Sequence, residues 1–348
     1  PMPAHPMAPP PPLPPQHHVV HVVARSGGFW RAITFVIGLL VIGGVLIAGI
    51  AIGIFAMVAG AGYDDVVIPQ RFRDGGSNTV AIIPITGGID ERQSEFMRAA
   101  VRHVLEDSNI LAVVLRVDSP GGEVAASDQI WNEVKRLRSK NIPVVASFGG
   151  VAASGGYYVS CGSDYIMAEP TTITGSIGVI AQVMTFEGLM GKIGVQPVTL
   201  VATDSPQKDV ANDLFRAWND QDKDKVRMIL DSAYDVFHER VRDGRKNVIT
   251  DESRLNEIAN GSIFTATQAK DNGLVDGIGY LDDAIAQAET AGKMATGRST
   301  VVILRRPPSL FGSGLFAEQT SVQNPLDAQH VRQLINELPT PRAMYLMP

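Results

Sequence analysis

Apolar residues are spread unevenly along this chain, and their spacing changes character twice. The 30 residues from Ala32 to Ala61 carry no charge and a single hydroxyl, that of Thr34. As a helix the run would extend ~45 Å, more than the ~30 Å hydrocarbon thickness of a bilayer, which predicts one transmembrane anchor. A core helix of a soluble domain keeps a polar stripe, and this run has none on any side. The apolar stretch of a cleaved signal peptide is much shorter. Arg25 and Arg31 precede the run, whereas Asp64 and Asp65 follow it. The positive-inside bias therefore predicts a single-pass protein of the cell membrane, its N-terminal side cytoplasmic and everything after the anchor extracytoplasmic.

Beyond a linker over residues 62–77, short β-rich runs alternate with amphipathic stretches. Thr79–Ile85, Ile110–Val117 and Ile142–Phe148 read as strands, and Glu91–Ser108 and Ser127–Lys140 as the helices between them. Strands apolar at consecutive positions are buried on both faces, which predicts an α/β fold with a mainly parallel sheet covered by helices. Polar helices follow from Asp213 to Asp243, and Gly261–Gly279 returns to short strand, helix and turn. The predicted organisation is an arm over 1–31, the anchor over 32–61, the linker, a globular domain over 78–310 and a tail over 311–348. In the arm, nine of the 22 prolines fall within the first 15 residues, which predicts an extended segment without helix or central strand. In the tail, Met344, Tyr345, Leu346 and Met347 form an apolar stretch suited to docking in a substrate groove.

Composition narrows the function classes. Only 19% of residues are charged, but 45% are hydrophobic, which excludes a disordered polyelectrolyte. A formal net charge of −6 leaves no basic surplus for a phosphate backbone, so nucleic acid is not an expected partner. The lone cysteine, Cys161, excludes an intrachain disulfide framework and any cysteine-cluster metal site.

Candidate chemistry sits where strands end. Glycine-rich turns are read at Asp118–Gly122 and at Phe148–Gly156, the usual location of reacting groups in α/β sheets. In the second turn a single hydroxyl, Ser154, stands among residues with almost no side chain, as a nucleophile needs if a peptide backbone must approach it. A helix starting near Ser154 would aim free amides at the group under attack. The amide of Gly155, with one from Gly121 or Gly122, would form an oxyanion hole. The spacing equally fits a helix-packing turn in which Ser154 is an N-cap. The histidines after the anchor are His103, His238 and His330, none in a turn beside small residues, and all three read as exposed or structural. Lys208 stands in a loop, where a solvated side chain and a catalytic base of depressed pKa are both open readings. Cys161 reads as a packed core thiol.

Taken together, these residues resemble the signal peptide peptidase A family of membrane-bound serine proteases, in its short form. The resemblance rests on Asp118-Ser119-Pro120-Gly121-Gly122 and Ala152-Ala153-Ser154-Gly155-Gly156-Tyr157-Tyr158. It continues through Thr174-Gly175-Ser176-Ile177-Gly178-Val179, Lys208-Asp209, Phe264-Thr265-Ala266 and Gly273-Leu274-Val275-Asp276. It implies a Clp-protease/crotonase-like ββα superhelix, with Ser154 as nucleophile, Lys208 as general base of a Ser/Lys dyad, and Ser176 as the serine that orients the lysine. Gly121, Gly122 and Gly155 match the oxyanion segments, and no metal or cofactor is implied. The Ser154 motif occurs once, without an internal repeat. The resemblance, in its short form, therefore implies a homo-oligomer in which Lys208 serves Ser154 of an adjacent subunit, with membrane lipid as a partner, cleaving hydrophobic peptides such as signal-peptide remnants left in the bilayer, outside the cytoplasm. A catalytically silent membrane scaffold and a thioester-processing enzyme of the same fold are the competing classes.

Overall fold

The computed structural model describes residues 35–39, 42–47, 49–50, 67–307 and 344–346. They fall into two units divided between Ala59 and Gly60. In the first, residues 35–39, 42–47 and 49–50 are helical, and Phe35 and Ile47 are each 70% exposed. Among the described residues no helix is long and apolar enough to cross a membrane. Much of the predicted anchor and all of the arm over 1–31 lie outside them, as does the tail apart from 344–346.

The second unit begins with β1 (Ile68–Arg73), β2 (Thr79–Thr86), α1 (Glu91–Glu106), β3 (Ile110–Ser119) and β4 (Gly121–Glu123). Next come α2 (Val124–Ser139), β5 (Val144–Ala153), α3 (Gly155–Ser160), β6 (Tyr165–Ala168), β7 (Ile173–Gly175) and α4 (Glu187–Ile193). It continues with α5 (Asp220–Arg245), α6 (Glu252–Ile258), β8 (Ile263–Thr265), α7 (Ala266–Asp271), β9 (Gly277–Ile278), α8 (Leu281–Ala291), β10 (Thr300–Arg305) and β11 (Met344–Leu346). The main path of the large sheet runs β1-β10-β2-β3-β5-β6-β9. From β10 to β9 every pairing is parallel; β1 adds antiparallel to β10. This is the α/β architecture expected from the alternation of apolar strands and amphipathic helices.

The strands are apolar at consecutive positions because both faces are covered. Val113, Leu115 and Val117 of β3 join one core with Phe96, Met97 and Val101 of α1 and with Ile130, Val134 and Leu137 of α2. The intervening Ala112 and Val114 join a second core with Ala284, Ile285 and Ala288 of α8. Each fully buried large side chain contributes ~1.5–3 kcal/mol before the entropy of ordering is set against it. Asp90 caps α1 by accepting the Gln93 amide at 2.9 Å.

Three local expectations change. The linker contains β1, whose sequence IPQRFR is exposed along most of its length and so lacks a burial pattern. The Phe148–Gly156 segment is not a turn throughout: β5 continues through Gly149 and Gly150 to Ala153, pairing Ala152 with Ser119 after a register shift. The polar helix starts at Asp220 rather than Asp213, because Asn219 and Asp222 close a reciprocal capping box there.

Candidate active site

Ser154 occupies the single-residue junction between β5 and α3, with φ 53° and ψ −116°. A side chain there is strained, at a cost of order 1–3 kcal/mol, and the junction turns the hydroxyl out of the strand. Its backbone is pinned on both sides. The Ser154 N–H donates to Gly175 O at 2.8 Å, and its carbonyl accepts the Tyr158 N–H at 2.8 Å. The hydroxyl is buried and has no hydrogen-bond partner among the described residues. An unpartnered buried hydroxyl normally costs stability, so its persistence beside a strained backbone marks the place where a reacting group is expected.

The glycines around it are there for closeness. A Cβ on Gly155 would lie 2.8 Å from Ser127 Oγ and 3.1 Å from both Gly121 Cα and Gly122 N. One on Gly156 would lie 2.7 Å from Ser119 O. The α3 N-terminus therefore rests directly on the backbone of β4. Within β4 the two candidate donors differ. The Gly121 N–H donates to Ser119 Oγ at 3.1 Å, and that hydroxyl in turn donates to Gly87 O at 2.6 Å. The Ile89 N–H donates to Gly121 O at 2.9 Å, and the Glu123 N–H to Ile89 O at 2.8 Å. By strand alternation the main-chain groups of Gly122 face away from Ile89. On that side lies β11, antiparallel to β4, with Tyr345 opposite Gly122. The chain thus lays an extended segment of itself along the strand beside Ser154.

Ser176 is also brought close. β7 pairs with β5 so that Ala153 and Gly175 are register partners, which makes Ser154 and Ser176 the next residues on adjacent strand ends. Ser176 is buried, has φ 50°, and donates its N–H to Ser262 O at 2.7 Å. Gly175 must be glycine: its φ is 86°, and a Cβ would lie 2.6 Å from the Phe264 ring.

Lys208 is not in this group. It ends a one-turn 3-10 segment, Pro206–Lys208, and is exposed. It lines two surface clefts, one with Val210, Lys225 and Ile229, the other with Leu200, Asp213 and Phe215; Ser154 lines neither. Within one chain, then, no hydrogen bond joins Lys208 to the Ser154 hydroxyl. Among the histidines, His238 of α5 faces Glu252 at 3.9 Å and Tyr234 at 5.9 Å between ring centres; His103 is on α1, and His330 is outside the described residues. Cys161 is buried, and its thiol donates to Tyr158 O at 3.1 Å. Burial pushes its pKa up to about 12, so it remains a neutral thiol.

Sequence reasoning passed over Ser119, which ties down the Gly121 amide, and Ser127, which crowds Gly155 and donates to Glu123 O at 2.8 Å. Ser119 stood within the Asp-Ser-Pro-Gly-Gly turn, whose serine was the available signal. Ser127 lies on α2 and had none.

The chain is thus an α/β protein whose sheet rim carries a strand-to-helix elbow with a buried serine beside two close-packed glycine backbones. The sequence pattern of peptidase family S49 matches residues 136–295, and that of an NfeD1b N-terminal domain matches residues 79–188. A chain named as a signal peptide peptidase SppA in Enterococcus faecium is 33% identical over 251 residues, 70% of this chain and 71% of that one. A Synechocystis protease is 36% identical over 219 residues, covering 63% and 76%. Protease 4 of Salmonella typhi is 35% identical over 223 residues, and the match spans 62% of this chain but 35% of that longer protein. Among solved structures, the 1510-N membrane-bound stomatin-specific protease aligns with a TM-score of 0.42 at 17% identity, covering 67% of this chain and all of that one. The ClpP1 of Listeria monocytogenes aligns with 0.40 at 14% identity, covering 59% and 94%. The chain belongs to the signal peptide peptidase A family, peptidase family S49, a family of serine-type peptidases.

Proposed function

We propose that this chain is a membrane-anchored serine endopeptidase that hydrolyses hydrophobic peptides, such as cleaved signal peptides, with Ser154 as nucleophile and Lys208 as general base. The observation that carries the reading is the Ser154 hydroxyl: strained in backbone, buried, unpartnered, and set beside the Gly155 and Gly122 backbones. The pairing of residues 344–346 with β4 supports an extended peptide as the occupant of that edge, held by main-chain hydrogen bonds. The sheet and its helices are read as the Clp-protease/crotonase superhelix of the family.

In this mechanism the Ser154 Oγ attacks the scissile carbonyl carbon while its proton passes to a neutral lysine amine. The carbonyl oxygen becomes an oxyanion between the amides of Gly155 and Gly122: the Gly121 N–H is held by Ser119, whereas the Gly122 N–H faces the β11 edge and comes free when residues 344–346 leave it. Collapse breaks the C–N bond, and the lysine returns its proton to the leaving amine. Water, deprotonated by the same amine, then releases the acyl group and regenerates Ser154. Ser176, beside the nucleophile, orients the amine.

The separation of Lys208 from Ser154 within one chain favours a homo-oligomer in which each site takes its lysine from a neighbour. The exposed apolar residues Val198 and Leu200, 79% and 90% exposed on the segment leading to Lys208, suit such a contact. Ala32–Ala61 is read as the anchor, with the catalytic unit extracytoplasmic, on the strength of its uncharged length and its flanking charges.

The test uses detergent-solubilised full-length chains, a serine-reactive phosphonate and an apolar peptide. Labelling is expected to vanish in Ser154→Ala and to fall sharply in Lys208→Ala; equal labelling of all three overturns the reading. A mixture of the two variants regains peptidase activity if the lysine acts in trans, and stays inactive if it acts within its own chain.

A further inference from the structure

The loop that carries Lys208 has little core beneath it: residues 202–208 are exposed. A flexible base would spend most of its time away from the nucleophile, so something must fix the turn. The residue built to do so is Arg216. Its Nη1 and Nη2 donate to the two carboxylate oxygens of Asp222 at 2.6 and 2.8 Å, a two-pronged pair with a fully buried acid. The same guanidinium reaches back to the residue beside Lys208, its Nε to Asp209 Oδ2 at 3.2 Å and its Nη2 to Asp209 O at 3.1 Å. Asp222 completes the clamp from the first turn of α5. It accepts the Ala211 N–H at 2.8 Å and the Asn219 N–H at 2.8 Å, and so holds Ala211 at φ 60°. Both ends of the segment that follows Lys208 are thereby tied to one ion pair whose acid is buried and whose guanidinium is half-buried.

We propose that Arg216, acting through Asp209 and Asp222, is the positioning residue that presents Lys208 as the base. The proposal rests on the reading of Lys208 given above. The charged groups that share clefts with Lys208 are Asp209, Asp213 and Lys225. A base held in one place meets the serine proton in most encounters, and one on a loosened turn meets it in few.

Arg216→Lys keeps the charge but loses the two-pronged geometry. It is expected to lower kcat by at least about tenfold with KM little changed. A wild-type kcat, or a loss that appears in KM rather than kcat, overturns the proposal. Lys208→Ala run alongside separates the two claims: if it keeps wild-type activity, the base assignment itself has failed, whereas its inactivity beside a wild-type kcat for Arg216→Lys removes only the positioning role. A second readout does not depend on the variant's own activity. Because Arg216→Lys impairs the lysine and not the serine, mixing it with Ser154→Ala chains should restore turnover, and mixing it with Lys208→Ala chains should not. No restoration by Ser154→Ala, where the Ser154→Ala and Lys208→Ala pair does recover, overturns it.

Discussion

Ser154 and Ser176 directly follow the ends of neighbouring parallel strands, and both hold positive φ as non-glycine residues, 53° and 50°. At Ser154 the strain is local and removable. Ser154→Gly should therefore be more stable than Ser154→Ala by about 1 kcal/mol, although both lose activity, because glycine adopts this backbone freely and alanine does not. Paired thermal or urea unfolding of the two variants checks this. Equal stability would mean that the elbow is not strained by its side chain.

Gly155 offers a cleaner separation of fold from chemistry. Alanine there brings a methyl within 3.1 Å of the Gly122 amide nitrogen and 2.8 Å of Ser127 Oγ. The collision moves β4 away from the α3 N-terminus and spoils one donor of the proposed oxyanion site. Turnover is expected to fall ~10²–10³-fold, for a stability cost of ~1–3 kcal/mol. Adding Ser127→Ala relieves the side-chain clash but not the backbone one, so the double variant should regain stability without regaining rate. Recovery of both would place the effect in α2 packing instead.

Much of this arrangement could be read in the chain before folding, and what could not has physical causes. The buried strands were legible because two covered faces leave consecutive apolar residues in β2, β3 and β5. The helix start at Ser154 and the serine-glycine context were legible from small residues alone. β1 was not, since an edge strand exposed along most of its length carries no alternation. Nor was the continuation of β5 through Gly149 and Gly150, where glycine signals a turn but the sheet keeps the strand extended. That Ser119 takes the Gly121 amide was not legible either, a contact fixed only by the folded turn. Arg216 and Asp222 gave no signal, because a pair six residues apart spanning a loop and a helix start has no periodicity.

Cys161 gives a prediction with a definite sign in pH. Its thiol is buried at the end of α3, and desolvation holds its pKa near 12, raised from the ordinary value. Iodoacetamide should leave it unmodified in the native protein and label it fully in denaturant. In the unfolded chain the thiol loses its proton above ~8.5, whereas in the fold it keeps it. The unfolded state then binds fewer protons, so stability should decline as pH rises from there toward about 12. Cys161→Ala should flatten that part of the profile. Native labelling near neutral pH would contradict the buried assignment.

Residues 344–346 lie antiparallel on β4 with Tyr345 opposite Gly122, whose main-chain groups face that side. An incoming peptide needs the same edge and, in the proposed mechanism, the same Gly122 amide. The segment therefore competes with substrate and does not add to the chemistry. Removing residues 344–348 from the full-length protein should lower KM for an apolar peptide severalfold with kcat unchanged, because only the free edge, not the nucleophile, is altered. A synthetic peptide of sequence MYL within its natural flanks, added back, should inhibit competitively. Should truncation instead lower kcat or leave KM untouched, the strand is a structural element of the rim, and the peptide edge lies elsewhere on the molecule.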